Sequence, residues 1–139
     1  NWNMDGKNAT GKTIGEVEKL TGIPKRELKY YIEQRIMRPS QRTDNGYWLY
    51  SEEDIQKARL ASLCRSLDFP VQAIRTVLAD PASCWQRELE LQVDRLSDRL
   101  GRTGAQLHLA KRLQCAGAWE ALQIYSDSLA EESAALAVK

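Results

Sequence analysis

Six basic side chains, Lys25, Arg26, Lys29, Arg35, Arg38 and Arg42, fall within residues 25–42, against two acidic ones, Glu27 and Glu33. That local charge of +4 makes a candidate anion-binding face in a chain whose formal net charge is only +1. The other chemistry-bearing residues are scattered. Cys64, Cys84 and Cys115 are far apart in sequence and odd in number, which excludes a complete intramolecular disulfide framework and points to a reducing compartment. His108 is the only histidine and reads as a surface or packing residue. Glu88, Glu90, Asp94 and Asp98 alternate with Arg87, Arg95, Arg99 and Arg102, the pattern of a salt-bridged helix exterior. Serine, histidine and cysteine are not arranged to activate a nucleophile. Gly6-Lys7 and Gly11-Lys12-Thr13 lack the glycine spacing of a phosphate loop. The residues therefore point to binding rather than catalysis, and no enzyme is expected.

The basic cluster needs elements to hold it. Thr13 and Glu16 have capping-box spacing, and Ile14, Val17 and Leu20 recur on one face of a short helix. Thr21-Gly22 breaks it, and Ile23-Pro24 starts a second helix running to about Gln34, with Leu28, Tyr31 and Ile32 on its packed side. Two short helices joined by a glycine-containing turn form a helix-turn-helix pattern. Arg38-Pro39-Ser40 cannot continue a helix comfortably. Asp44-Asn45-Gly46 is a turn signal, and Tyr47-Trp48-Leu49-Tyr50 suits a strand, so residues 38–50 read as a β-hairpin. Ser51 then caps a helix, with Asp54 at the capping-box position. Asp68-Phe69-Pro70 ends that helix, and a further short one closes at Asp80-Pro81. The expected core is Ile14, Val17, Leu20, Leu28, Tyr31, Leu49, Ile55, Ala58, Leu63, Leu67, Ile74 and Leu78.

Beyond Ser83 the pattern changes. Leu89, Val93, Leu96, Leu100, Thr103, Leu107, Ala110 and Gln114 alternate in steps of four and three, the spacing of a coiled coil. A continuous helix from Trp85 to Ala116 would be about 48 Å long, too long to bury its stripe on the head. The same helix from a second chain is the economical partner, so Leu89, Val93, Leu96, Leu100 and Leu107 are assigned to homodimerisation. Ala116-Gly117-Ala118 is the next break, and Trp119, Leu122, Ile124, Tyr125 and Leu129 support one more helix. Trp85, Trp119 and Tyr125 are expected to pack at the junctions of these elements.

Length and composition agree with this layout. A chain of 139 residues allows one domain or two small units and excludes a large barrel or a doubly wound enzyme. The composition, 42% hydrophobic and 28% charged, is that of an ordinary soluble protein, and the mean hydropathy of -0.53 leans polar. Some apolar surface is therefore expected to be satisfied between chains. No apolar run approaches membrane-spanning length, so no membrane partner is expected. The chain opens on Asn1 with no apolar signal core, and residues 1–12 read as a flexible segment apart from docking by Trp2.

Thr13-Ile14-Gly15-Glu16-Val17, Thr21-Gly22-Ile23-Pro24, Leu28-Lys29-Tyr30-Tyr31-Ile32-Glu33, Asn45-Gly46-Tyr47-Trp48-Leu49-Tyr50-Ser51, Asp54-Ile55, Leu67-Asp68-Phe69-Pro70 and Ile74-Arg75 follow in order. As a set they resemble the head of a MerR-type winged helix-turn-helix transcriptional regulator. The resemblance covers about residues 13–80. It implies a mainly α fold: a winged helix-turn-helix head at 13–82 with a small β-hairpin wing, then a long antiparallel coiled-coil dimerisation helix and a short C-terminal helix at 83–139. It implies a cytoplasmic, homodimeric regulator that distorts promoter DNA at an inverted-repeat operator and works with RNA polymerase, with a possible small-molecule effector.

Carried over, Lys25, Arg26, Lys29 and Tyr30 lie on the recognition helix, and Arg38, Arg42, Asn45, Gly46 and Tyr47 lie on the wing. The helical pair 51–66 and 70–79 forms a second wing. Lysine and arginine on a short helix can reach base edges in the major groove, and a basic hairpin can hold the backbone. Tyr30 can donate its hydroxyl to phosphate; Tyr31 reads as packing. Three departures stand out. Trp48 occupies a position where the family usually has arginine and lacks that fork of hydrogen bonds. Lys29 replaces a frequent arginine. Ile32 acts as an inserted residue before Glu33, which would tilt or lengthen the recognition helix. Metal-sensing relatives carry cysteines near both ends of the dimerisation helix, where this chain has Cys84 and Cys115. Two thiolates suit at most a soft ion, and the reading is that the chain holds no metal and no cofactor. The competing reading, favoured by Trp48, is a protein-binding adaptor built on the same head.

Overall fold

The structure is a computed structural model that describes residues 11–138. In chain order it contains α1 (Ile14–Thr21), α2 (Lys25–Glu33), β1 (Gln41–Arg42), β2 (Trp48–Leu49), α3 (Glu52–Ser66), α4 (Val71–Ala79), α5 (Pro81–Arg112) and α6 (Ala118–Val138). The expectations for residues 1–10, Trp2 included, lie outside the described residues. The chain divides into two compact units, one ending at Val93 and one beginning at Asp94.

In the first unit, local chemistry sets the helix ends. Both halves of the Thr13–Glu16 capping box form: the Glu16 carboxylate accepts the Thr13 N–H at 2.8 Å, and the Thr13 hydroxyl accepts the Glu16 N–H at 3.2 Å. Gly22 ends α1 in the left-handed region at φ 79°, and its N–H reaches Glu18 O at 2.8 Å. Pro24 provides no side-chain cap for α2. The Glu18 carboxylate takes that role, accepting the Lys25 N–H at 3.0 Å and fastening α1 to the start of α2.

The hairpin is shorter than expected. Its strands pair antiparallel, Gln41 with Leu49 and Arg42 with Trp48. Arg38 precedes the ladder, because Pro39 has no N–H to offer it. Lys12 adds a bridge on the other side of β2, exchanging both backbone hydrogen bonds with Tyr50 at 2.7 and 2.8 Å. That approach requires Gly11, since a Cβ there would lie 2.9 Å from the Leu49 Cβ. The ordered fold thus begins before Thr13.

The core of this unit includes Val17, Leu28, Tyr31, Leu49, Ile55, Ala58, Ile74 and Leu78, as the periodicity predicts. Ile14 and Leu67 pack at its edge. Leu20 and Leu63 do not join it; they are 50% and 45% exposed. Helix α3 turns Ile55, Ala58, Ala61 and Cys64 inward in steps of three, so Leu63 points about 100° away from Cys64. Ile23, Ile36, Met37, Tyr50, Phe69 and Val77 complete the interior. The start of α5 belongs here too. Trp85 stacks on Phe69 with ring centres 5.9 Å apart, and Leu89 packs against the same core. The buried Gln92 amide donates to Leu67 O at 2.8 Å and Asp68 O at 3.0 Å, closing the C-terminal end of α3. Glu88, expected on a charged exterior, is buried and pairs with Arg87 at 3.3 Å.

The second unit holds the rest of α5 and all of α6. Helix α5 starts and stops earlier than the expected 85–116, and α6 continues to Val138. Leu96, Leu100 and Leu107 on α5 are exposed, as are Trp119, Leu122, Tyr125, Leu129 and Leu136 on α6. Trp119, at 83% exposed, does not make the expected packing within its own chain. Among the described residues, no helix is long and apolar enough to cross a membrane.

Candidate nucleic-acid interface

Helix α2 is amphipathic in a way that sorts its residues by task. Leu28 and Tyr31 are buried, and burial pushes the Tyr31 phenol up to about 12, helped by the Glu27 carboxylate. Lys25, Arg26 and Lys29 are exposed. Tyr30 is half-buried against the core, and the Arg65 guanidinium lies 4.5 Å from its ring centre. Arg65 also pairs with Glu27 at 2.7 Å, so Glu27 is engaged by α3. The helix ends at Glu33: Arg35 adopts a left-handed φ of 56°, and its N–H reaches Ile32 O at 3.0 Å. Ile32 is half-buried in the last turn and does not lengthen the helix. Arg75 on α4 closes the exit, donating through Nε and Nη2 to Gln34 O at 2.8 and 2.6 Å.

The hairpin carries its charges on an aromatic support. Trp48 stands directly opposite Arg42 in the ladder, with the Arg42 guanidinium 4.6 Å from the indole centre and that of Arg38 at 5.3 Å. Arg42 Nε also donates to Gly46 O at 2.9 Å. Trp48 therefore holds two guanidiniums on the wing; it does not strip the wing of charge. At the tip, Gly46 N–H reaches Thr43 O at 2.9 Å and Tyr47 N–H reaches the Thr43 hydroxyl at 3.0 Å. Asn45, Gly46 and Tyr47 are exposed. The base of the wing is tied to α3 by Asp54, one of whose oxygens accepts from Ser40 N, Ser40 Oγ and Ser51 N at 2.8–2.9 Å. A concavity of about 250 Å³ beside Arg38 is lined by Arg35, Lys57 and Arg75 together with Ile36, Met37, Leu78 and Ala79, and holds no acidic residue.

This is a helix-turn-helix whose second helix exposes a basic face, with a basic two-stranded wing and two further helices packed behind. Residues 12–80 match the MerR HTH family of regulatory proteins. That segment is a MerR-family head. The HTH-type transcriptional activator TipA of Streptomyces coelicolor is 30% identical over 90 residues, covering 65% of this chain and 36% of TipA. The HTH-type transcriptional regulator ZntR of Escherichia coli is 33% identical over 66 residues, 48% of this chain and 47% of ZntR. The chain thus spans between about a third and a half of these curated relatives, 36% and 47%. A crystal structure of a MerR-family transcriptional regulator from Bacillus cereus shares the fold, with a TM-score of 0.64 at 18% identity over 86% of this chain and 97% of that one.

Several residues that shape the MerR head here were not singled out in the sequence. Arg65, Arg75 and Gln92 act on residues 24 to 41 positions away, which periodicity cannot show. Cys64 is buried, and burial pushes its thiol up to about 11, which disfavours the thiolate a soft metal needs. Cys84 is half-buried and Cys115 exposed. Among the described residues no three histidine, cysteine or acidic side chains gather as a metal site.

Proposed function

We propose that this chain is a dimeric, sequence-specific DNA-binding transcriptional regulator of the cytoplasm. The carrying observation is the division of α2: Leu28 and Tyr31 fix it to the core while Lys25, Arg26 and Lys29 stand exposed on the opposite side. Those three, with Tyr30 at the edge, face the major groove. Arg38, Arg42, Asn45, Gly46 and Tyr47 face the adjoining backbone. The exposed stripe of Val93, Leu96, Leu100 and Leu107, with the apolar residues of α6, is covered by a second copy. Leu89 joins that seam only at its base, since it packs on its own head. Two heads related by a two-fold axis read an inverted repeat, and contacts from both offset the cost of distorting the promoter for RNA polymerase. Any small-molecule effector acts on the region after the head.

Fluorescence anisotropy on duplex DNA over a range of salt concentrations tests this reading. Affinity should fall steeply with salt. Arg42→Ala should weaken all duplexes alike and lower the salt slope by about one unit. Arg26→Ala should weaken the preferred site more, by roughly 1–3 kcal/mol for a bidentate base contact. Equal, salt-independent binding by wild type and both variants would remove DNA from the account and restore the adaptor reading.

A further inference from the structure

We propose that Trp48 is a positioning residue that presents Arg38 and Arg42 together, as one preorganised element, to neighbouring phosphates of a DNA strand; this rests on the DNA-binding reading above. Arg42 faces Trp48 across the ladder, so the β register itself places that guanidinium over the indole. Its Nε is fixed by Gly46 O, which sets the plane of the group. Arg38 arrives from the other direction, on the segment before β1, and reaches the same ring at 5.3 Å. Ser40, two residues on, is bound to Asp54 through both its N–H and its hydroxyl, which anchors that segment to α3. Trp48 is itself packed against the core. The indole therefore transmits the rigidity of the head to two long side chains that would otherwise sample many rotamers in water.

The charges explain why a polyanion is the fitting occupant. Two guanidiniums gathered on one ring repel each other, and the negative face of the indole offsets only part of that. A ligand with closely spaced negative charges relieves the rest. The pair stands on an exposed hairpin rather than in an enclosed pocket, which suits the continuous backbone of a duplex better than a small free anion. Holding both side chains in place before binding reduces the ordering cost at contact. Trp48 thus supplies by support what an arginine at the same place would supply as a third charge.

The test compares the full chain with Trp48→Leu and Trp48→Phe by anisotropy on a random-sequence duplex across salt concentrations, with thermal melts alongside. Trp48→Leu keeps both charges and loses the π face, so affinity should fall about tenfold at every salt concentration while the salt slope stays the same. Trp48→Phe should remain within about threefold of wild type. Arg42→Ala should cost less in the Trp48→Leu background than in wild type, because the two act as a unit. Trp48→Met replaces the leucine variant if the latter does not melt cooperatively. Wild-type affinity in a folded Trp48→Leu or Trp48→Met protein, with wild type itself binding steeply with salt, overturns the proposal alone. A wild type that ignores the duplex overturns both the proposal and the reading beneath it.

Discussion

At the scale of the residue, Asp54 does more than cap a helix. Burial by itself would raise its pKa, but donors from Ser51 and Ser40 outweigh that and hold the carboxyl below its ordinary value. A depressed folded pKa contributes stability that is present above the unfolded value, near pH 4, and lost as pH falls through the folded value. Asp54→Asn should therefore cost roughly 2–3 kcal/mol at neutral pH and flatten the stability profile below about pH 4, read by urea unfolding at several pH values. Arg35 tells a second residue-scale story. Its φ of 56° is left-handed, a conformation that disfavours a side chain with a Cβ. Arg35→Gly should raise stability by about 1 kcal/mol, visible as a higher thermal midpoint.

At the scale of the element, α2 is held at both ends by other helices. Glu18 closes its start and Arg75 its end. Arg75→Ala removes two charge-assisted bonds to Gln34 O, and should lower unfolding stability by about 2 kcal/mol and weaken duplex binding with little change in salt slope. Features set by near neighbours are the ones a sequence makes visible. The capping boxes at Thr13 and Ser51, the Gly22 break and the turn at residues 44–46 depend on neighbours a few residues apart, so their types and spacing suffice. The inward face of α3 depends on packing instead. Leu63 is the more hydrophobic residue, yet Cys64 takes the interior position because it continues the line of Ile55, Ala58 and Ala61. The wing was legible as a turn with a basic strand. The support of Arg38 and Arg42 by Trp48 was not, because it depends on a cross-strand register and on a loop anchored by Asp54. Gln92 reads as a solvent-facing helix residue until the carbonyls of Leu67 and Asp68 are placed beside it.

At the scale of the whole molecule, the two units differ in what they bury. The first has a continuous interior from Val17 to Leu78. The second leaves Leu96, Leu100, Leu107, Trp119 and Leu122 open to solvent in a single chain. In the proposed dimer a second copy covers that surface, and Leu96→Asp with Leu100→Asp should dissociate it, because unpartnered charges would lie in the seam. Sedimentation velocity at micromolar concentration should move from about twice 15.8 kDa toward one chain in the double variant. In the proposed assembly, two equivalent basic heads held by one dimer read DNA together. Selection of bound duplexes from a randomised pool tests it most directly. Wild type should enrich an inverted repeat, and Lys25→Ala/Arg26→Ala/Lys29→Ala should lose that enrichment; a pool that stays random with wild type, or a repeat still recovered by the triple variant, would show that paired basic heads do not read DNA.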